Sequence, residues 1–311
     1  MPVSRLTDDQ LKDMLKLAKG ADSIELKLTV PASGQRSALV ALGIDPLDAQ
    51  IRQVYFYDTP DLKLFNHGLN MRARRVQGKG EDSVVKIRPV DPEQLPGEWR
   101  VSPNMKVEVD AMPGGYVCSA SLKGKPAVGD TRKVHFGEEP IRRLFSKEQR
   151  EFFEHHVPDG VTWDDLVVLG PIFVLKVVFT PVGFDRKVTA EMWFYPDGKR
   201  MLELSTKCAP GETMQAATEA RLFFGDLGID LLSAQETKTK STLQFFAKER
   251  AHQGAEAAAD GETAAEGEGE PAAAPDDGAE SAPVAVASPA VVEPAEAMAE
   301  LESNGTNGTG I

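Results

Sequence analysis

Five stretches of this chain alternate between apolar and charged residues, and that alternation limits the possible folds more than any other feature. In SIELKLTV (23–30), Ile24, Leu26, Leu28 and Val30 fall on one side, and Glu25 and Lys27 on the other. Arg72 and Arg74 share a side, as do Lys86 and Arg88, which stand opposite Val85 and Ile87. Lys106, Glu108 and Asp110 oppose Val107 and Val109, and Glu203 lies with Ser205 and Lys207. Residues two apart share a face only in an extended strand, so each stretch reads as an amphipathic β-strand. Further strands are expected over 52–58, 172–180 and 186–195. Helices are expected from Thr7 to Gly20, over 34–42, over 144–156 and over 213–227, and a last strand running into a short helix over 233–247. About eight strands joined by short turns, with helices on the connections and ends, give an α+β fold built on an antiparallel sheet.

A sheet with one wet face would show the same alternation. Here, however, the polar faces hold few Ser, Thr, Asn or Gln, and Arg/Lys pairs stand on some strands and Glu/Asp pairs on others. If the sheet closes into a barrel, those faces meet in one lumen. Charges lining a lumen are costly to desolvate unless the space is wet and occupied. The fitting occupant is a polyanion gripped by Arg and Lys, with a hard divalent cation held by Glu and Asp.

The chain's net charge of −13 says nothing against this. From Gln253 to Ile311 there is no Lys or Arg and there are thirteen acids, so residues 1–252 are balanced. The Ala/Glu/Pro/Gly-rich segment 251–311 is expected to be a disordered acidic tail. An apolar signal segment is not seen at the N-terminus, nor any run of about 18 apolar residues. Cys118 and Cys208 stand far apart and read as reduced thiols. A cytoplasmic protein with no membrane segment is the expectation, with nucleic-acid binding disfavoured by the neutral folded part.

The most specific stretch is VYFYDTPDLKLFNHGLNMRARR (54–75). An aromatic strand enters an Asp-Thr-Pro turn, and a Leu/Gly-punctuated segment leads into the arginine strand. With SIELK at 23–27 it resembles the CYTH superfamily of triphosphate tunnel metalloenzymes, which includes class IV adenylyl cyclases and thiamine triphosphatases. The resemblance covers roughly residues 20–248, within a domain of 1–250 that carries a long insertion near 112–171. It implies a closed or nearly closed eight-stranded antiparallel β-barrel with peripheral helices.

By position, the resemblance implies catalytic roles for Glu25, Lys27 and Glu203. It implies phosphate binding by Lys27, Arg72, Arg74, Lys86, Arg88, Lys176, Arg186 and Lys240. Glu25, Glu108, Asp110, Glu191 and Glu203 would hold Mg²⁺ or Mn²⁺. The implied partner is a triphosphate-containing small molecule or polyphosphate, and barrel members of the family can pair as homodimers. Two positions depart from the pattern: Ser23 and Ser205 stand where the family has carboxylates. A hydroxyl is a poorer Mg²⁺ ligand and no general base at neutral pH. Three readings stand: a metal-dependent triphosphatase, a class IV-type adenylyl cyclase, and a non-catalytic polyphosphate or nucleotide binder. GKGEDS (78–83) lacks P-loop spacing, no Gly-x-Ser-x-Gly is present, and His155 and His156 point apart on a helix. Trp193 shares the facing of Glu191.

Overall fold

A computed structural model describes residues 7–231 and 237–265. Nine strands close into a barrel in the order β1-β5-β6-β4-β3-β2-β7-β8-β9, with β9 returning to β1. The strands are β1 (Ser23–Val30), β2 (Gln50–Asp58), β3 (Leu69–Val76), β4 (Gly80–Ile87), β5 (Met105–Met112), β6 (Gly115–Gly124), β7 (Val167–Phe179), β8 (Val188–Phe194) and β9 (Arg200–Cys208). Eight helices accompany them among the described residues: α1 (Asp8–Gly20), α2 (Gln35–Ala41), α3 (Lys63–Asn66), α4 (Gly97–Arg100), α5 (Asp130–His135), α6 (Lys147–His156), α7 (Thr213–Asp226) and α8 (Lys238–Ala265). None of the described helices is long and apolar enough to cross a membrane.

The expected eight-stranded antiparallel barrel is corrected in two respects. There are nine strands, and β1 pairs with β5 in parallel. The added strand is β6, which lies inside the supposed insertion 112–171. Its lumen side carries Ser119 and Ser121, so GYVCSASLKG has little of the polar contrast that marks the other strands. Part of that segment is therefore barrel wall, and the rest is α5, α6 and short turns on the outside. Of the last strand and short helix expected over 233–247, residues 238–247 are helical, and 232–236 lie outside the described residues. Helix α8 continues past residue 250 to Ala265, into the segment expected to be a disordered tail. Its remainder, 266–311, lies outside the described residues.

The apolar faces point outward and are covered by helices. Tyr55, Tyr57, Met71, Val85, Val107, Val109, Ala120 and Leu122 pack against Trp99, Val134, Phe145, Phe152 and Phe153. Leu28, Val30, Ala190, Leu202 and Leu204 pack against Ala38, Ala220 and Phe224. Gln149 of α6 ties one helix to the wall: its amide donates to Leu122 O at 3.0 Å, and its Oε1 accepts from Ser83 at 2.9 Å. A Cβ on Gly124 would lie 2.1 Å from that oxygen and 2.7 Å from the Ser83 hydroxyl, so any larger residue there would push this hydrogen-bonded pair aside. A third apolar cluster lies inside. Val54, Phe56, Val174, Trp193, Tyr195 and Met201 meet Leu243 of α8 and fill part of the barrel interior.

The Asp-Thr-Pro turn explains how the chain leaves β2 and enters β3. Asp58 is buried and accepts from the backbone N–H groups of Thr59 (2.7 Å), Leu64 (2.9 Å) and Phe65 (2.9 Å). It thereby satisfies the free donors at the start of α3. Gly68 then turns with φ +85°, and a Cβ there would approach Arg88 O to 2.3 Å. Asp58→Ala would strand these buried donors. We expect a loss of about 3 kcal/mol in urea unfolding, with Asp58→Asn recovering part of it.

Candidate functional site

The barrel lumen holds a cavity of about 180 Å³. Nine cationic and five anionic side chains line it, a surplus of four positive charges. The sheet order sorts them by sign. Arg52 (β2), Arg72 and Arg74 (β3), Lys86 (β4) and Arg88 just beyond it occupy one continuous arc. Glu191 (β8), Glu203 (β9), Glu25 (β1), and Glu108 and Asp110 (β5) occupy the arc that faces it.

On the cationic arc the residues differ in what they already hold. Arg74 spends its fork on Asp82, directly opposite on β4, at 2.8 and 2.9 Å. Arg52 takes Gln50 Oε1 at 2.8 Å. Arg72 is different: its Nε is buried and has no hydrogen-bond partner among the described residues. Burial, with Arg74 adding repulsion, pulls its pKa down to about 10, so it remains a cation at neutral pH. Lys86 is pulled down to about 7 by burial, against the attraction of Asp110 at 3.5 Å and with repulsion from Arg88, Lys27 and Arg72.

On the acidic arc every carboxylate has a cationic partner. Lys27 pairs with Asp110 (3.0 Å) and Glu25 (3.5 Å), and Arg88 reaches Asp110 at 3.5 Å. Lys207 bridges Glu108 and Glu25. Lys106 adds a 3.1 Å contact to Glu108. Lys176 bonds Glu191 at 3.1 Å. Lys238, at the start of α8, bonds Glu191 and, at 2.7 Å, Glu203, and lies 5.3 Å from the Trp193 ring centroid. Burial works against ionisation of Glu108, but Lys207 and Lys106 more than offset it and hold its pKa at about 2. Asp110 and Glu191 are likewise held well below the carboxylate range by their lysines, against the effect of burial.

Most expected site residues thus converge. Glu25, Lys27, Arg72, Arg74, Lys86, Arg88, Glu108, Asp110, Lys176, Glu191 and Glu203 all line the lumen. Two do not. Arg186 lies outside, bonded to Glu219 at 2.6 Å and Glu212 at 3.0 Å, where it ties the approach to β8 to α7. Lys240 is exposed on α8, because a helix in place of the expected strand turns it away from the lumen and presents Lys238 two residues earlier. Arg52, Lys207 and Lys238 complete the lining but were not among the expected site residues. Period-two spacing places Arg52 with Val54, and Lys207 with Glu203; Lys238 has no such signal.

The five acids expected to hold Mg²⁺ or Mn²⁺ all lie on one arc of the lumen wall. Among the described residues no three of His, Cys, Asp and Glu converge on a common point. Lysine ammonium groups occupy the spaces between them. Ser23 and Ser205 donate to Glu108 (3.1 Å) and Glu25 (3.0 Å) rather than adding carboxylates.

No protein-family model matches the sequence, and no curated protein matches it significantly. Solved structures do match. A candidate adenylate cyclase from Bacillus halodurans superposes with a TM-score of 0.51 at 12% identity, over 71% of this chain and 97% of its own. A candidate adenylyl cyclase from Hippeastrum, described as having a dominant triphosphatase activity, gives 0.51 at 17% identity, over 70% of this chain and 93% of its own. The chain shares the fold of these two proteins. At such identities the likeness is one of architecture, and what this barrel does with its lumen depends on its own side chains.

Proposed function

We propose that the lumen binds a triphosphate-bearing small molecule and hydrolyses its terminal phosphoanhydride bond. The observation that carries this reading is Arg72, a guanidinium with a buried, unpartnered Nε in a wall of further cations. A buried donor without an acceptor is costly, and a phosphate oxygen would satisfy it through a charge-assisted bond. Arg52, Arg74, Lys86 and Arg88 would share the remaining oxygens, with Lys27 within the acidic arc and Lys176 on β7 between the two arcs. In hydrolysis, water adds to the terminal phosphorus, the bridging P–O bond breaks and diphosphate leaves. Cations placed around the phosphoryl oxygens stabilise the charge on the transferring and leaving groups. Glu25 stays ionised because Lys27 and Lys207 outweigh its burial, so it would orient the water. Glu203 is the second carboxylate for that role. The triphosphatase activity described for the Hippeastrum protein supports hydrolysis. The cavity volume suits a triphosphate chain, with any nucleoside lying beyond it, which favours hydrolysis over cyclisation.

A second reading is binding without turnover. It is favoured by Ser23 and Ser205, which leave the acidic arc two carboxylates short of the family pattern. Phosphate release from inorganic triphosphate, thiamine triphosphate, ATP and GTP separates the two, with cyclic nucleotide assayed in parallel. Turnover lost in Arg72→Ala supports the hydrolase. Triphosphate that raises the melting temperature without turnover makes this a binding protein. Absence of both effects would rule the lumen out as a triphosphate site.

Affinity should depend on pH through Lys86. Its pKa is about 7 in the free barrel, and a bound phosphate would raise it. The charged form that binds is therefore present below pH 7 and is lost as pH rises, until the pKa of the bound state is reached. We expect affinity to fall by up to about tenfold per pH unit above 7. Lys86→Arg, which keeps its charge, should remove that part of the slope. Titration of the ligand itself affects both proteins equally. Identical slopes in calorimetric titrations of the two proteins would refute the assignment.

A further inference from the structure

We propose that the lumen takes its triphosphate without a divalent cation, with lysine ammonium groups fixed between the carboxylates as resident counter-charges. This rests on reading the lumen as a triphosphate site. Glu191 and Glu203 stand directly opposite each other on β8 and β9. Like charges in cross-strand register are unfavourable unless a cation lies between them. Here that cation is Lys238, delivered by α8 and bonded to both acids. The neighbouring pair, Glu25 and Glu108, is treated in the same way by Lys207 of β9. Ser205 donates to the other oxygen of Glu25, and Ser23 donates to the same Glu108 oxygen that Lys207 holds.

A divalent ion entering between Glu191 and Glu203 would have to break both bonds of the largely buried Lys238 ammonium, and one entering between Glu25 and Glu108 would have to displace the half-exposed Lys207. The two serines fit the same logic. A hydroxyl at these positions holds the carboxylate against its lysine, whereas a further acid would leave negative charge that only a metal could neutralise. The overall balance agrees. The surplus of four positive charges in the lining is comparable to the charge of a bare triphosphate chain, and a metal complex of that chain would leave part of the arginine arc unneutralised.

The test is calorimetric titration of the intact protein with inorganic triphosphate, once in EDTA and once with Mg²⁺, corrected for the triphosphate complexed by Mg²⁺ in solution. The expected result is an affinity in EDTA equal to or tighter than that in Mg²⁺, and no saturable heat when Mn²⁺ alone is added. Lys207→Ser, at a half-exposed position where folding is not at stake, should lower the affinity in EDTA about tenfold and let Mg²⁺ restore part of it. Binding at least tenfold tighter with Mg²⁺ than in EDTA overturns the proposal and leaves the triphosphate site standing. So does an unchanged affinity in EDTA for Lys207→Ser. Absence of binding in both buffers removes the proposal and the site together.

Discussion

Arg72→Ala is expected to lower triphosphate affinity by a hundredfold or more while leaving the ligand-free protein as stable as before, or more so. The two effects have one cause. In the free barrel the Arg72 side chain is partly withdrawn from water with its Nε unpaired, so removing it relieves a desolvation cost. In the complex the same fork would make charge-assisted bonds worth roughly 1.5–3 kcal/mol each. Two such bonds correspond to a loss of about 10² to 10⁴ in affinity. Arg74→Ala should cost less affinity and some stability, because Arg74 already holds Asp82 in both states. Titration calorimetry paired with thermal melts in the absence of ligand reads both quantities. A lower melting temperature with unchanged affinity would make Arg72 a structural residue and remove the main support for the proposed function.

Lys238→Met should be the most damaging single change to stability. It leaves Glu191 and Glu203 facing each other across β8 and β9, with Lys176, on Glu191, as the only other ion-pair partner of either among the described residues. Breaking a buried ion pair by removing one partner costs about 3–5 kcal/mol. For a domain of this size that is a fall of roughly 6–20 °C in melting temperature. The sign of the pH effect follows from the acids. In the parent protein Glu191 is held well below the carboxylate range, so the stability from this pairing is present above the unfolded pKa and is lost as pH falls through the folded one. In the variant the unpaired acids favour protonation, so the deficit should be largest near neutrality and shrink towards pH 4–5. Glu191→Gln added to Lys238→Met should recover most of the loss, since one carboxylate alone has no like charge to face. Equal melting temperatures for parent and variant at pH 7 would show that α8 does not depend on this bridge.

Much of this was legible in the sequence because period-two patterning is a local property. Strands β1, β3, β4, β5 and β9 announce which side is apolar, and a closed sheet has only one interior to which the charged sides can turn. The Asp-Thr-Pro turn and Gly68 are equally local: one carboxylate caps α3, and one glycine meets the Arg88 carbonyl. Strand β6 was hidden because its lumen side is serine, whose polarity does not stand out from its small apolar neighbours. The parallel pairing of β1 with β5 was hidden because alternation carries no direction.

What only the tertiary structure decided is the pairing of charges. Sequence fixes that Glu191, Glu203, Glu25 and Glu108 point inward; it cannot say that two lysines, one on β9 and one arriving on a helix, take the spaces between them. Lys238 and Lys240 are two residues apart in the same basic stretch, and the pitch of α8 puts the first against Glu203 and the second in solvent. Arg186 and Lys176 look alike as basic residues of the second half, yet the register of β7 and β8 sets Lys176 opposite Glu191 while Arg186 meets α7 outside. Strand patterning selects the face a charge occupies, and closure of the barrel selects which charges it meets there. That second selection, which left the Arg72 Nε without a hydrogen-bond partner among the described residues and gave each acid of the lumen a lysine, is what gives this lumen its expected chemistry.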